Sequence, residues 1–152
     1  VRVGLDIGST TIKCAVLDEH DALIYSTYER HYSHILEKAQ ELLRRIDAVM
    51  EDEDTFCSPE FSLAVLARLS ESNTNYVSQV INTTYNKNFR TFLNERRIKV
   101  AMKRMMDSGR YGAYSMQGIA ESVGYQSASN FIAAFKKVTG MTPSLYQKML
   151  GK

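Results

Sequence analysis

The stretch Tyr114–Pro143, YSMQGIAESVGYQSASNFIAAFKKVTGMTP, constrains this 152-residue chain most, because it prescribes two short helices and the turn between them. Met116, Ile119, Ala120 and Val123 recur at helical spacing and predict one buried face over Ser115–Val123. Gly124 follows where a helix ends in a left-handed residue, a conformation glycine adopts at little steric cost. Ser127 is a good N-cap for the next helix, whose inward side carries Phe131, Ala134, Phe135 and Val138. Gly140 stops that helix, and Thr142-Pro143 closes the unit. Two helices so joined form a helix-turn-helix, here 115–139, the arrangement that sets its second helix in a DNA major groove.

A looser copy occupies 61–85. Leu63, Leu66, Ala67 and Leu69 give the inward side of its first helix. Asn73 caps a second helix, Thr74–Thr84, with Val77, Val80 and Ile81 inward. Glu71 stands in the turn, and Asn86 after the helix, where glycine is usual; asparagine tolerates the left-handed conformation well. Between the copies, Asn88–Met106 reads as a linker helix. Phe89, Phe92, Leu93, Ile98, Ala101, Met102 and Met105 supply its packing, and Arg90, Arg96, Arg97, Lys99, Lys103 and Arg104 its basic surface. Such a helix spans roughly 28 Å, near the roughly 34 Å separating successive major-groove sites. Asp107-Ser108-Gly109 ends it.

Gly124-Tyr125, Asn130-Phe131, Phe135-Lys136-Lys137, Gly140 and Thr142-Pro143 resemble, in order and spacing, the second half of an AraC-type DNA-binding domain. Residues 61–85 resemble the first helix-turn-helix of that family. The resemblance implies a bacterial transcriptional regulator that binds double-stranded DNA in a sequence-specific way, without catalysis and without a cofactor. It places the domain at 44–152.

The charge distribution agrees. Residues 1–60 hold 6 Lys/Arg and 13 Asp/Glu, a net of −7, whereas residues 61–152 hold 13 and 4, a net of +9. A basic half of that size suits nucleic acid, because cationic side chains displace condensed counterions from phosphates. Side chains off the inward stripes are the candidates for DNA contact. On the first unit these are Thr74, Asn75, Ser78, Gln79 and Asn82, the amides being able to pair with adenine. On the second they are Gln126, Ser127, Ala128, Ser129, Asn130, Ile132 and Ala133, a less polar set. Arg90, Arg96, Arg97, Lys136 and Lys137 are the expected phosphate contacts. Asn73 and Ser127 are assigned to capping first.

The N-terminal 43 residues read differently. VRVGLDIG, TIKCAVLD and ALIYSTY alternate like strands, with turns at Gly8-Ser9-Thr10 and Asp18–Asp21, so a three-stranded antiparallel meander is expected. GLDIGSTTIKCAVLD resembles the phosphate-binding hairpin of the actin/Hsp70/sugar-kinase superfamily, closest to the ATPase activators of 2-hydroxyacyl-CoA dehydratases. That resemblance makes Asp6, Gly8, Ser9, Thr10, Thr11 and Lys13 the nucleotide-binding positions. No second phosphate loop or adenosine-binding segment follows, so no turnover is expected. The match covers a truncated piece, and its join to the second sequence type falls inside a helix near Leu42–Arg45, which suggests a chimera. The alternative roles are a nucleotide-binding fragment of an ATPase activator, or an oligomerisation element, since a lone hairpin needs something to pack on.

Ser33–Met50 predicts a helix with Ile35, Ala39, Leu42, Ile46 and Val49 inward, flanked by Leu36, Leu43 and Met50. Glu51–Asp54 reads as a solvated turn, and Ser58-Pro59 as the start of the next helix. His31 and His34 lack a third metal ligand at usable spacing, and Cys14 and Cys57 share none, so no metal is expected. No run of eighteen apolar residues and no signal peptide is visible, and the two cysteines suggest a reduced, cytoplasmic protein. The expected fold is thus mainly α: two helix-turn-helix units joined by a linker helix, behind a small antiparallel β element.

Overall fold

The computed structural model describes residues 1–7, 11–30 and 33–151. Three strands open the chain: β1 (Arg2–Ile7), β2 (Thr11–Leu17) and β3 (Leu23–Arg30), in antiparallel order β1-β2-β3. Asp18 makes the second turn, its Oδ1 accepting from the His20 and Ala22 N–H groups at 2.8 and 2.9 Å. Such a side-chain turn lets the next residues reverse direction, and Asp21 takes a φ of 61° within it. The chain divides into two compact units, Val1–Glu41 and Leu42–Lys152, the division falling inside α1 (Ser33–Val49).

The remaining helices are α2 (Glu53–Phe56), α3 (Leu63–Leu69), α4 (Thr74–Tyr85), α5 (Phe89–Met106), α6 (Ser108–Tyr111), α7 (Met116–Ser122), α8 (Ala128–Thr139) and α9 (Pro143–Met149). The expected class, mainly α with a small antiparallel sheet, is what the chain adopts. Hydroxyl, carboxylate and amide side chains start most of these helices: Ser62, Asn73, Asn88, Asp107, Ser115 and Thr142 each accept from a backbone N–H in the first turn. The core of the second unit forms where α5 packs against α4, α7 and α8. Val77, Ile81, Phe92, Ile98, Ala101, Ile119, Val123, Phe131 and Phe135 are buried there, as the helical spacing requires.

Four local expectations change. The acidic run is not a plain turn: Asp52 caps α2, accepting from the Asp54 N–H at 3.1 Å and from the Thr55 hydroxyl at 2.5 Å. Ser58-Pro59 does not start a helix. The Ser58 carbonyl accepts from the Phe61 N–H at 3.0 Å and from Arg97 at 2.7 Å, so α3 waits for the Ser62 cap. Leu69 is 43% exposed, because the inward place one turn after Leu66 falls to Ser70 instead. Ile46 in α1 and Met50 just after it are buried, but Ile35 and Leu36 in α1 are exposed.

Candidate nucleic-acid interface

Helix α4 buries Val77 and Ile81, which turns Asn75, Gln79 and Asn82 outward; all three are exposed, with Thr74, while Ser78 is half-buried. Helix α8 repeats this geometry at a constant offset. Phe131 and Phe135 go inward, and Ser129, Asn130, Ile132, Ala133, Lys136 and Lys137 stay exposed. Asn75, Gln79 and Asn82 therefore correspond to Ser129, Ala133 and Lys136. Gln126 is exposed, Ala128 is half-buried, and Ser127 sits half-buried at the N-cap. The Ser127 hydroxyl makes no cap bond, unlike Asn73, whose Oδ1 accepts from the Tyr76 N–H at 3.0 Å.

Tyr76 joins the outward residues of α4, a place the sequence pattern does not assign to it. It is 60% exposed on the outward side of α4, at helical distance from Gln79 and Thr83. Its position on the wheel, away from Val77 and Ile81, was the available signal, obscured because an aromatic residue invites an assignment to the core.

The basic linker helix needs the largest correction. Arg97 is not a surface cation but is 7% exposed. Its Nε donates to the Phe56 carbonyl at 2.9 Å, Nη1 to the Gly124 carbonyl at 3.1 Å, and Nη2 to the Ser58 carbonyl at 2.7 Å. Its guanidinium also lies 5.7 Å from the centroid of the Tyr125 ring. Burial lowers its pKa, with Tyr125 and Cys57 working the other way. An arginine so enclosed cannot reach a phosphate. Arg104 donates to the Ser122 carbonyl and lies over Tyr111; Lys103 pairs with Glu53 at 2.9 Å; half-buried Arg96 lies over Phe92 at 5.1 Å. Arg90 and Lys99 are exposed. Of the linker's cations, Arg97 and Arg104 are thus held by backbone carbonyls, and Lys103 by an exposed ion pair.

Neighbouring groups share that enclosure. Burial pushes the Cys57 thiol up to about 11, against the lowering pull of Arg104 and Arg97. Burial likewise raises Tyr125 to about 12, and its hydroxyl donates to Asn94 Oδ1 at 3.0 Å. At the end of α4, the Tyr85 hydroxyl donates to Asp47 at 2.6 Å; burial and that carboxylate raise it to about 12.

In the first unit, Asp6 and Lys13 face each other across β1 and β2, both exposed, 3.8 Å apart, and Thr11 is half-buried. Gly8, Ser9 and Thr10 lie outside the described residues, as do His31 and the side chain of His34. Among the described residues, no group of three or more His, Cys, Asp or Glu is placed to hold a metal, and no helix is long and apolar enough to cross a membrane.

Tandem helix-turn-helix units on one packed body define a class, and comparison with known proteins agrees with it. The family described as "Helix-turn-helix domain" matches residues 66–149. The chain belongs to this family, as an AraC-type DNA-binding domain of transcriptional regulators. It is 28% identical over 89 residues to YtdP of Bacillus subtilis (strain 168), described as an uncharacterized HTH-type transcriptional regulator. That match covers 59% of this chain but 11% of YtdP. The C-terminal domain of the two-component response regulator yesN from Fusobacterium nucleatum is similar at a TM-score of 0.59 and 25% identity, covering 72% of this chain and 98% of that one. The DNA-binding domain of AdpA, a global transcriptional factor in complex with a target DNA, shares the fold at a TM-score of 0.59 and 16% identity, covering 72% and 91%.

Proposed function

We propose that residues 44–152 are the sequence-reading output domain of a cytoplasmic, non-enzymatic transcriptional regulator, and that its two recognition helices divide the work on double-stranded DNA. The carrying observation is the contrast between matched outward faces: Asn75, Gln79 and Asn82 on α4 against Ser129, Ala133 and Lys136 on α8. Carboxamides carry donor and acceptor together and can pair with adenine, whereas lysines hold phosphate. Helix α4 therefore reads bases, with Arg90 on the backbone. Helix α8 positions the protein mainly through Lys136 and Lys137, with the uncapped Ser127 hydroxyl and Gln126 beside them, and reads a weaker second half-site through thymine-methyl contacts of exposed Ile132 and Ala133.

Residues 1–43 are read as a structural element without nucleotide turnover. Asp6 has its carboxylate directed at Lys13 across the sheet. The chimeric origin of this segment, and a homodimer formed through it, stand as parts of the same proposal.

Binding-site selection on wild type, Gln79→Ala and Lys136→Ala tests the division. Gln79→Ala should relax preference at one base pair by about 1–3 kcal/mol. Lys136→Ala should weaken all sequences alike. A changed motif for Lys136→Ala beside an intact one for Gln79→Ala would reverse the assignment.

A further inference from the structure

We propose that Arg97 is a positioning residue that fixes the separation of the two recognition helices, and through it the half-site spacing the protein accepts; this rests on the DNA-binding reading above. The guanidinium sits on α5, the helix between the two units. Two of its acceptors, the Phe56 and Ser58 carbonyls, belong to the segment that enters the first helix-turn-helix. The third, the Gly124 carbonyl, belongs to the turn of the second. One side chain thus holds two segments that lie 27 to 41 residues from it in sequence, on opposite sides.

The fit leaves little freedom. All three guanidinium nitrogens donate, each to a different carbonyl, and none of these acceptors is a carboxylate. A Cβ at Gly124 would lie 2.8 Å from Arg97 Cζ and 2.5 Å from the Cys57 carbonyl oxygen, so the second turn rests directly on the arginine. The next residue, Tyr125, lays its ring against the guanidinium and ties its hydroxyl to Asn94 on the same helix. A planar fork of donors holds such a geometry, and a lysine ammonium does not.

The spacing consequence comes from the duplex. Successive base pairs advance a half-site by about 3.4 Å and turn it by about 35° around the axis. A link that holds two recognition helices rigidly accepts one spacing and rejects its neighbours, whereas a loosened link accepts several.

The experiment measures affinity of the whole chain for duplexes carrying the two half-sites selected by wild type, with the spacer changed one base pair at a time. Each half-site alone is measured as well. Wild type should lose about tenfold per base pair of displacement, a penalty on the scale of one mismatched position. Arg97→Lys should lose less than about threefold per step while binding each isolated half-site within about twofold of wild type. A cooperatively melting Arg97→Lys that keeps the wild-type spacing penalty overturns the proposal, leaving the arginine a purely stabilising role. Should Arg97→Lys fail to melt cooperatively, Arg97→Gln decides. It buries no charge and cannot reproduce the three bonds to the Phe56, Ser58 and Gly124 carbonyls. A broadened spacing tolerance supports the proposal, and an unchanged one overturns it. Wild type that binds no bipartite duplex overturns instead the functional reading on which the proposal stands.

Discussion

The turns of the two helix-turn-helix units close with the same two hydrogen bonds, yet one is built on Glu71 and the other on Gly124. In the first, the Glu71 N–H donates to Arg68 and the Ser72 N–H to Ala67, at 3.1 and 2.9 Å. In the second, the Gly124 N–H donates to Glu121 and the Tyr125 N–H to Ala120, both at 3.0 Å. Both turn residues are left-handed, with φ of 53° and 85°. What differs is the surroundings. Glu71 points to solvent, its side chain 79% exposed, and pairs with Arg45 at 3.1 Å. Gly124 is pressed between Arg97 and the Cys57 carbonyl. A left-handed turn needs glycine absolutely only where a neighbour occupies the space of a Cβ; elsewhere the need is a modest energetic preference.

The sharpest way to break this comparison is Gly124→Ala. Left-handed strain of about 1–2 kcal/mol adds to overpacking of about 1–3 kcal/mol, so urea denaturation should show a loss of several kcal/mol. The opposite exchange at the first turn, Glu71→Gly, should be close to neutral. Relief of strain is offset by glycine's greater freedom when unfolded and by an exposed ion pair worth about 1 kcal/mol at most. Equal effects at the two turns would show that the backbone conformation alone, not the neighbours, sets the requirement.

Next in size is an alkaline effect at Cys57, whose carbonyl crowds the second turn. The folded Cys57 thiol titrates near 11 and the unfolded one near 9. Its stabilising contribution is therefore complete below about pH 9 and is lost as pH rises towards 11, because the unfolded state gives up its proton first. Two pH units correspond to about 2–3 kcal/mol. Stability measured from pH 8 to 11 should fall less in Cys57→Ala than in wild type, and parallel curves would refute the assignment.

The smallest expected effect concerns a position where the first unit is the worse built. Ser70 occupies the place that Val123 fills in the second unit. It is fully buried, and its Oγ has no hydrogen-bond partner. An unsatisfied buried hydroxyl costs about 1–3 kcal/mol. Ser70→Ala should therefore raise stability by about 1 kcal/mol after allowing for the small void it leaves. A loss on thermal denaturation would mean that the hydroxyl is satisfied in solution.

Much of this was legible beforehand because periodicity and capping are local. The stripe Phe131–Phe135, the Asn73 cap and the left-handed Asn86 follow from spacing and side-chain chemistry alone, and the structure has each in place. Arg97 was misread because its neighbours Arg96, Lys99 and Lys103 suggested a solvated basic face. Its three acceptors are backbone carbonyls far away in sequence, and carbonyls leave no compositional trace. Leu69 takes an inward place in the pattern that Ser70 occupies in the structure, since a helix of seven residues offers too few turns to settle its inward face. Ser58-Pro59 carried a valid helix-start pattern, overridden by tertiary bonds to the Ser58 carbonyl.

The enclosed guanidinium also bears on how the Leu42–Lys152 unit unfolds. The segment before the first helix-turn-helix supplies two of its carbonyls and the turn of the second supplies one, so neither half alone can satisfy a desolvated cation. Melting one half while the other stays folded would strand that charge without its acceptors. The intermediate with one half folded is penalised from either side, so the tandem motifs should lose their structure in a single cooperative transition, which coincident melting curves from probes in the two halves would check.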